Sequence, residues 1–416
     1  MINLKKFFKD DLIKHTAVVF IGTSIVGFFN LIYQLVSVRL LSPADYGTFN
    51  ALISLVMFAS MTVSPLAPTL TRFFTEYITK KDYGTLKSVS EKMMKRIAGI
   101  AVLCLLFFIL FSHPLAGFFK TEISYIVICG VLIGISLLSL ILPVLFQSFQ
   151  KFKTLTFLGI ASSLAKLIVG SALMYMGWGV LGGLSGYLAA PLIILIILLF
   201  MIFKVYPENI AGIKSSKSVN LVPIYKYFFP VAAAMFSFTV LTNIDVVLVK
   251  HFFPPLDAGY YSVAQMVGKI FLFLPSALAI VIFPKSTASY VTNSHSHKIL
   301  YKSLLLAGSV CGIGVIFCFF FPKLVLDILT SKANPISTPL VGLFALAMSF
   351  YALLWITINY SLATHNLKFF PLLAVLSLLE TGSIYFYHSS LLMILWILLI
   401  FSVIAFSSAF LRLAIK

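Results

Sequence analysis

Five ionisable side chains sit inside stretches otherwise built from Leu, Ile, Val, Phe and Ala: Arg72, Lys166, Asp245, Lys269 and Glu380. A charged group at the centre of an apolar helix costs about 2.5–3.5 kcal/mol to insert, so each one needs a partner, a wet surface or a use. The three cations could neutralise concentrated negative charge through charge-assisted hydrogen bonds. The two carboxylates could hold a proton or a sodium ion. Amides stand near them at helical spacing: Asn30 and Gln34 are four apart, as are Gln265 and Lys269, and such pairs share one helix face. Two readings stay open, because static buried pairs (Lys166 with Glu380, or Lys269 with Asp245) use the same residues as a switching gate. Arg72, with Glu76 one turn further on, reads first as half of a local ion pair or as an interfacial anchor.

The elements that carry these groups follow from composition. Of 416 residues, 61% are hydrophobic and only 10% charged, with a mean hydropathy of +1.07. A water-soluble chain cannot hide that much apolar surface in one core, so the protein is a polytopic membrane protein. Twelve stretches are long enough to cross about 30 Å of hydrocarbon: 16–37, 48–76, 97–118, 122–147, 155–176, 179–203, 228–249, 259–283, 302–321, 338–362, 369–388 and 390–411.

A net charge of +18 would suggest nucleic acid in a soluble protein, but here the position of the charges decides. Most of the basic residues precede the first span or fill the even-numbered loops and the tail, as Lys80, Lys81, Lys87, Lys92, Lys95 and Arg96 do after the second span. The positive-inside rule then predicts cytoplasmic termini in a cell membrane and assigns the charges to lipid head groups, with no nucleic-acid partner. The first apolar run has no cleavage pattern after it and reads as a retained anchor. Cys104, Cys129, Cys311 and Cys318 all lie in apolar spans without ligand spacing, and His295 and His297 lack acidic or cysteine company. No metal site is expected.

One interruption occurs twice. QLVSVRLLSPADYGTFNA (34–51) returns as DVVLVKHFFPPLDAGYYSVA (245–264), with Pro43, Asp45 and Gly47 matching Pro255, Asp257 and Gly259. Proline and glycine suit a chain that must reverse within a few residues, and aspartate can cap the incoming helix. The same alignment sets Gln34 on Asp245 and, further on, Lys166 on Glu380. Two parallel six-helix halves are predicted, 1–205 and 227–416, joined by a polar cytoplasmic linker over 206–226. Two such bundles supply a cavity and a way to rock around it, as alternating-access transporters do. Arg39 and Lys250 sit at matching outer ends, where they read either as snorkelling anchors or as an outer gate. Pro65 and Pro68 in the second span and Pro275 in the eighth predict kinks.

These segments also resemble a family. RLLSPADYGTFNALISL and NIDVVLVKHFFPPLDAGYYSVAQMVGKIFLFLPSALAIVIFP are similar to the polysaccharide-biosynthesis flippases of the multidrug/oligosaccharidyl-lipid/polysaccharide exporter superfamily. The resemblance implies an all-α fold of twelve transmembrane helices in two pseudo-symmetric, V-shaped lobes of the multidrug-exporter kind. It also implies translocation of undecaprenyl-pyrophosphate-linked oligosaccharide repeat units, driven by a proton or sodium gradient rather than a bound cofactor. On that reading Lys166, Lys269 and Arg72 hold the pyrophosphate, with Asn30 and Gln34 beside them. Asp245 and Glu380 then couple the ion, and Arg39 and Lys250 form the outer gate. Membrane lipids and the polymerase and chain-length proteins of the same pathway are the implied partners.

Three rivals share the layout. A polytopic repeat-unit polymerase would need a sizeable outward loop with catalytic groups, yet the longest here, around 322–339, offers only Lys323, Asp327 and Lys332 as charges. No nucleophile elbow, HExxH or P-loop pattern occurs, so no enzyme is expected. An antiporter of organic cations would prefer acidic and aromatic walls, whereas buried lysines in both halves favour an anion. Flippases of lipid-linked peptidoglycan precursors commonly carry more than twelve spans.

Overall fold

A computed structural model describes residues 11–63, 65–205, 222–273, 296–363 and 369–414. Among them the chain is helical and contains no strand, as hydrocarbon requires: with no water present, each backbone polar group must find its partner within its own segment. The linker residues 206–221, Pro275 and His295 lie outside the described residues, as does the side chain of His297.

The first helix, α1 (Asp11–Leu40), runs through Leu41 and Ser42 into α2 (Pro43–Val63). Proline at the first helical position costs nothing there, since its missing N–H would be unpaired anyway. The expected second span breaks at Pro65, after which α3 (Leu66–Thr79) begins with Pro68 in its first turn. Then come α4 (Tyr83–Leu110), the short α5 (Ser112–Phe119), α6 (Ile123–Ser139), α7 (Ile141–Ser148), α8 (Phe152–Leu173) and α9 (Gly179–Val205). The second half holds α10 (Val222–Phe252), α11 (Pro255–Phe273), α12 (Ser296–Phe320), α13 (Pro322–Thr330), α14 (Val341–Ala363), α15 (Phe370–Phe386) and α16 (Leu391–Ala414).

Nine stretches among the described residues are long and apolar enough to cross a membrane. They do not add up to the expected twelve, for identifiable reasons. Phe152–Ile197 is one such stretch but covers two expected spans. Within it α8 and α9 part at Gly177 and Gly179, whose φ angles of +89° and +52° glycine reaches without the clash a Cβ would bring. The helix α15 is a shorter apolar helix, and the expected eighth span is described only as far as Phe273.

By contacts the chain divides into two units, Met1–Ser37 with Ala59–Ala232 and Val38–Phe58 with Ala233–Lys416. The segment 38–58, placed by sequence in the amino-terminal half, therefore belongs by packing to the second unit. In the first unit α8 packs along α9, α4 along α6, and α6 along α9. In the second, α14 is central and meets α11, α12 and α16; its Phe344, Ala345, Ala347, Met348 and Tyr351 are fully buried. The outward positions Leu103, Leu110, Ile313, Phe320 and Leu378 are exposed and apolar, as befits surfaces whose solvent is lipid.

Candidate functional site

In the first unit the site is built around Lys166 on α8, which is 7% exposed. Its ammonium lies 3.9 Å from the ring centroid of Tyr187 on α9 and 4.9 Å from that of Tyr33 on α1. The two rings meet edge to face, 5.6 Å apart at 74°. Helix packing fixes them there. A Cβ on Gly170 of α8 would come within 2.9 Å of the Gly186 Cα on α9 and 2.5 Å of the Tyr33 hydroxyl, so only bare backbone lets α8, α9 and Tyr33 close up. The Tyr33 hydroxyl donates to the Gly183 carbonyl, and Gln34 donates its amide to the Tyr187 hydroxyl at 3.3 Å. Asn30, expected beside them, turns its amide back to the Val26 carbonyl of its own helix at 2.9 Å.

Lys166 thus has aromatic faces rather than a carboxylate as its neighbours. A contact ion pair is formed elsewhere, at the surface, between Lys80 and Glu76 at 2.6 Å. Cation–π contacts with two faces, at about 2 kcal/mol each when desolvated, offset part of the several kcal/mol that burial of an ion costs, and no carboxylate among the described residues completes the compensation.

In the second unit both carboxylates are fully buried. Asp245 on α10 accepts from the Tyr261 hydroxyl at 3.0 Å and from the Gln265 amide at 3.0 and 3.1 Å, the two donors standing one turn apart on α11. Gln265 is oriented in turn by Asn50 of α2, whose amide donates to the Gln265 carbonyl oxygen at 2.9 Å. Glu380 on α15 accepts from the Tyr351 hydroxyl of α14 at 2.9 Å, while its Oε1 is buried without a hydrogen-bond partner among the described residues. The two carboxylates lie within electrostatic reach of each other. Lys269 is in reach of Asp245 but makes no contact ion pair with it.

The repeated turns show a second cluster. Lys250, on α10, is 2% exposed and donates to the Thr48 hydroxyl at 2.7 Å. Arg39 is exposed and donates to the Ile328 carbonyl at 2.6 Å, and Lys332 donates to the Leu41 carbonyl. Gly47 and Gly259 lie inside helices, with no left-handed backbone. A Cβ on Gly47 would sit 2.8 Å from the Gly259 Cα, and one on Gly259 would sit 2.1 Å from the Pro43 carbonyl oxygen.

Several expectations change accordingly. The repeated glycines serve close helix contact rather than chain reversal. Asp45 is the third residue of its helix instead of its cap: Ser42 takes the cap position, accepting from the Asp45 backbone N–H at 3.1 Å and donating its hydroxyl to the Asp45 carboxylate at 2.7 Å, so that its side chain satisfies one of the helix's unpaired N–H groups. Lys250 does not snorkel but is buried in the second unit, unlike its sequence match Arg39. Glu76 makes a contact ion pair with Lys80, which reaches it across one turn; Arg72 is exposed, its guanidinium 6.0 Å from the Phe73 centroid. Within the second unit Lys269 and Asp245 make no contact ion pair, since Tyr261 and Gln265 hold the carboxylate. Sequence reading missed Tyr33, Tyr187, Tyr261, Tyr351, Asn50, Thr48 and Lys332. Tyr33 adjoins Gln34 and Tyr261 precedes Gln265 by one turn, but an aromatic in an apolar run ordinarily means core.

Among solved structures the chain is similar to a lipid II flippase, MurJ, in an inward closed conformation, with a TM-score of 0.72, 15% identity, and coverage of 96% of this chain and 87% of that one. It is similar to an inward-facing multidrug resistance MATE family transporter of the MOP superfamily, TM-score 0.70, 12% identity, covering 94% of each chain. A MOP superfamily transporter from Pyrococcus furiosus, described with a binding pocket of reverse polarity, aligns at TM-score 0.62 and 12% identity over 96% of this chain and 94% of that one. At these identities the likeness establishes the fold: an all-helical, multi-pass membrane transporter architecture. No curated protein matches the chain in sequence. The profile of the polysaccharide biosynthesis proteins matches residues 12–289, and with two thirds of its length so covered, from α1 past the repeated turn, the chain belongs to that family.

Proposed function

We propose that the protein is a flippase that carries lipid-linked oligosaccharide repeat units, joined to undecaprenyl through pyrophosphate, from the cytoplasmic to the outer leaflet of the cell membrane. The observation that carries this reading is Lys166: a buried ammonium with no carboxylate partner among the described residues, in a chain of a polysaccharide biosynthesis family with a flippase-and-exporter fold. A site that retains such a charge is suited to an anionic ligand. Pyrophosphate supplies the counter-charge to Lys166, and Arg72 and Lys269 are the further cations proposed to bind it. Gln34 and Asn30 offer amides to the neighbouring sugars. The basic loops keep both termini on the cytoplasmic side, and the product passes to polymerase and chain-length proteins outside.

Asp245 and Glu380 couple the cycle to a proton or sodium gradient. Each carboxylate is held by tyrosine and has no contact ion pair, so its charge state can change without breaking a salt bridge. Arg39 and Lys250 belong to the outer closure, through their bonds to Ile328 and Thr48.

The test is transport of a fluorescent undecaprenyl-pyrophosphoryl oligosaccharide in proteoliposomes under an imposed proton or sodium gradient. The intact protein should move it, and Lys166→Ala should lose the activity at unchanged membrane yield. Gradient-driven exchange of organic cations with no movement of the lipid would replace this reading with an antiporter.

A further inference from the structure

The arrangement around Lys166 is unusual for a buried lysine, and it has a consequence for what the site accepts. Two tyrosine faces converge on one ammonium, at 3.9 and 4.9 Å from the ring centroids. That is the geometry by which aromatic pockets hold free ammonium ligands, each desolvated cation being drawn to the negative faces of the rings. Here the ligand is tethered. The rings are held independently of it: Tyr33 is pinned by its bond to the Gly183 carbonyl and by the bare Gly170–Gly186 crossing, and Tyr187 by the Gln34 amide. The pocket therefore keeps its shape when the lysine is shortened.

We infer that Tyr33 and Tyr187 form an ammonium-binding box that the chain fills with its own Lys166, fixing a positive charge at the site and shutting out free organic cations. Lys166 is the residue that sets the polarity of the first unit, and the two tyrosines are positioning residues that act through it. With the lysine in place, a primary or quaternary ammonium ligand meets both an occupied box and a like charge. With the lysine removed, the same rings offer a vacant cation site. The link between this box and an anionic substrate rests on the reading of Lys166 proposed above, but the box itself does not.

The experiment uses the purified full-length chain and n-propylammonium, which replaces the atoms lost in Lys166→Ala. Calorimetric titration should show Lys166→Ala binding it at least about tenfold more tightly than the wild type, the range expected for a desolvated cation–π contact. Adding Tyr187→Leu should abolish the gain, and adding Tyr187→Phe, which keeps the ring face but gives up the Gln34 bond, should preserve most of it. Equal affinity across all these proteins overturns the inference.

Should the alanine variant fail to fold, the wild type provides the second readout. The Lys166 ε-methylene protons, assigned by their loss in Lys166→Arg, should be shifted upfield by the rings, keep that shift in Tyr187→Phe and lose most of it in Tyr187→Leu. An unshifted signal in the wild type overturns the inference. Neither measurement involves lipid-linked sugar, so a failed transport assay with an intact box would refute the flippase reading alone.

Discussion

Gly47 and Gly259, one residue from each copy of the repeated turn, meet backbone to backbone: a Cβ on the first would lie 2.8 Å from the Cα of the second. The sequence repeat is thus a physical contact, and the two glycines are conserved in kind between the copies because their helices touch where they do. Gly259→Ala should push against the Pro43 carbonyl and loosen this closure, whereas an alanine at Gly27, where a Cβ meets nothing within 4 Å, should not. Labelling of a cysteine placed at the buried Ala258 by a membrane-impermeant maleimide should speed up several-fold in the first background and stay unchanged in the second. Unchanged labelling in both would show that the contact does not seal the turn.

Lys250 and Thr48 should be coupled. Thr48→Val removes the acceptor that Lys250 reaches at 2.7 Å and leaves a buried ammonium short of a bond, at a cost of about 1–3 kcal/mol. Combining it with Lys250→Met should recover part of the loss, since it removes the buried ammonium that has lost this bond. A double-mutant cycle read by thermal unfolding in detergent tests this, and additive losses would contradict it.

Asn50 should matter more than its distance from Asp245 suggests. Its amide fixes the Gln265 side chain so that the Gln265 NH2 faces the carboxylate. Asn50→Ala frees that amide to turn over, and gradient-driven transport should fall about as far as in Gln265→Ala. Full coupling in Asn50→Ala with loss in Gln265→Ala would show that the orientation is set elsewhere.

Glu380 and Tyr351 should part company in their effects. Tyr351→Phe removes the hydroxyl that donates to Glu380 at 2.9 Å and should destabilise the protein by about 1–3 kcal/mol. Glu380→Gln keeps an acceptor for that hydroxyl but cannot change charge, so stability should hold while gradient dependence is lost. Comparing unfolding temperature with transport at two imposed gradients separates the two roles. A fully coupled glutamine variant would remove Glu380 from the coupling site.

Much of the fold was readable because lipid punishes exceptions. Apolar length is a local property with one dominant physical meaning in a membrane, whereas the Pro-x-Asp-x-Gly repeat marked the right place but its glycines serve helix contact rather than chain reversal. The break at Pro65 was legible for the same reason. So was the parting of α8 and α9 at Gly177 and Gly179, which falls between the expected spans 155–176 and 179–203. Less was legible where a residue's meaning depends on its neighbours, as for Glu76, which Lys80 reaches from one turn further on.

The candidate site divides in the same way. That Lys166, Asp245, Lys269 and Glu380 are special follows from sequence alone, because an ionisable group in an apolar run carries a cost that something must offset. What offsets it was decided only in three dimensions. Tyr33, Tyr187, Tyr261 and Tyr351 look like core aromatics along the chain, and nothing in their spacing says that two of them turn a ring face to an ammonium while the other two turn a hydroxyl to a carboxylate. Insertion cost is a property of one residue and its segment, so the sequence determines it. Hydrogen bonds and cation–π contacts require atoms from different helices within about 3–6 Å, and only helix packing brings those atoms together.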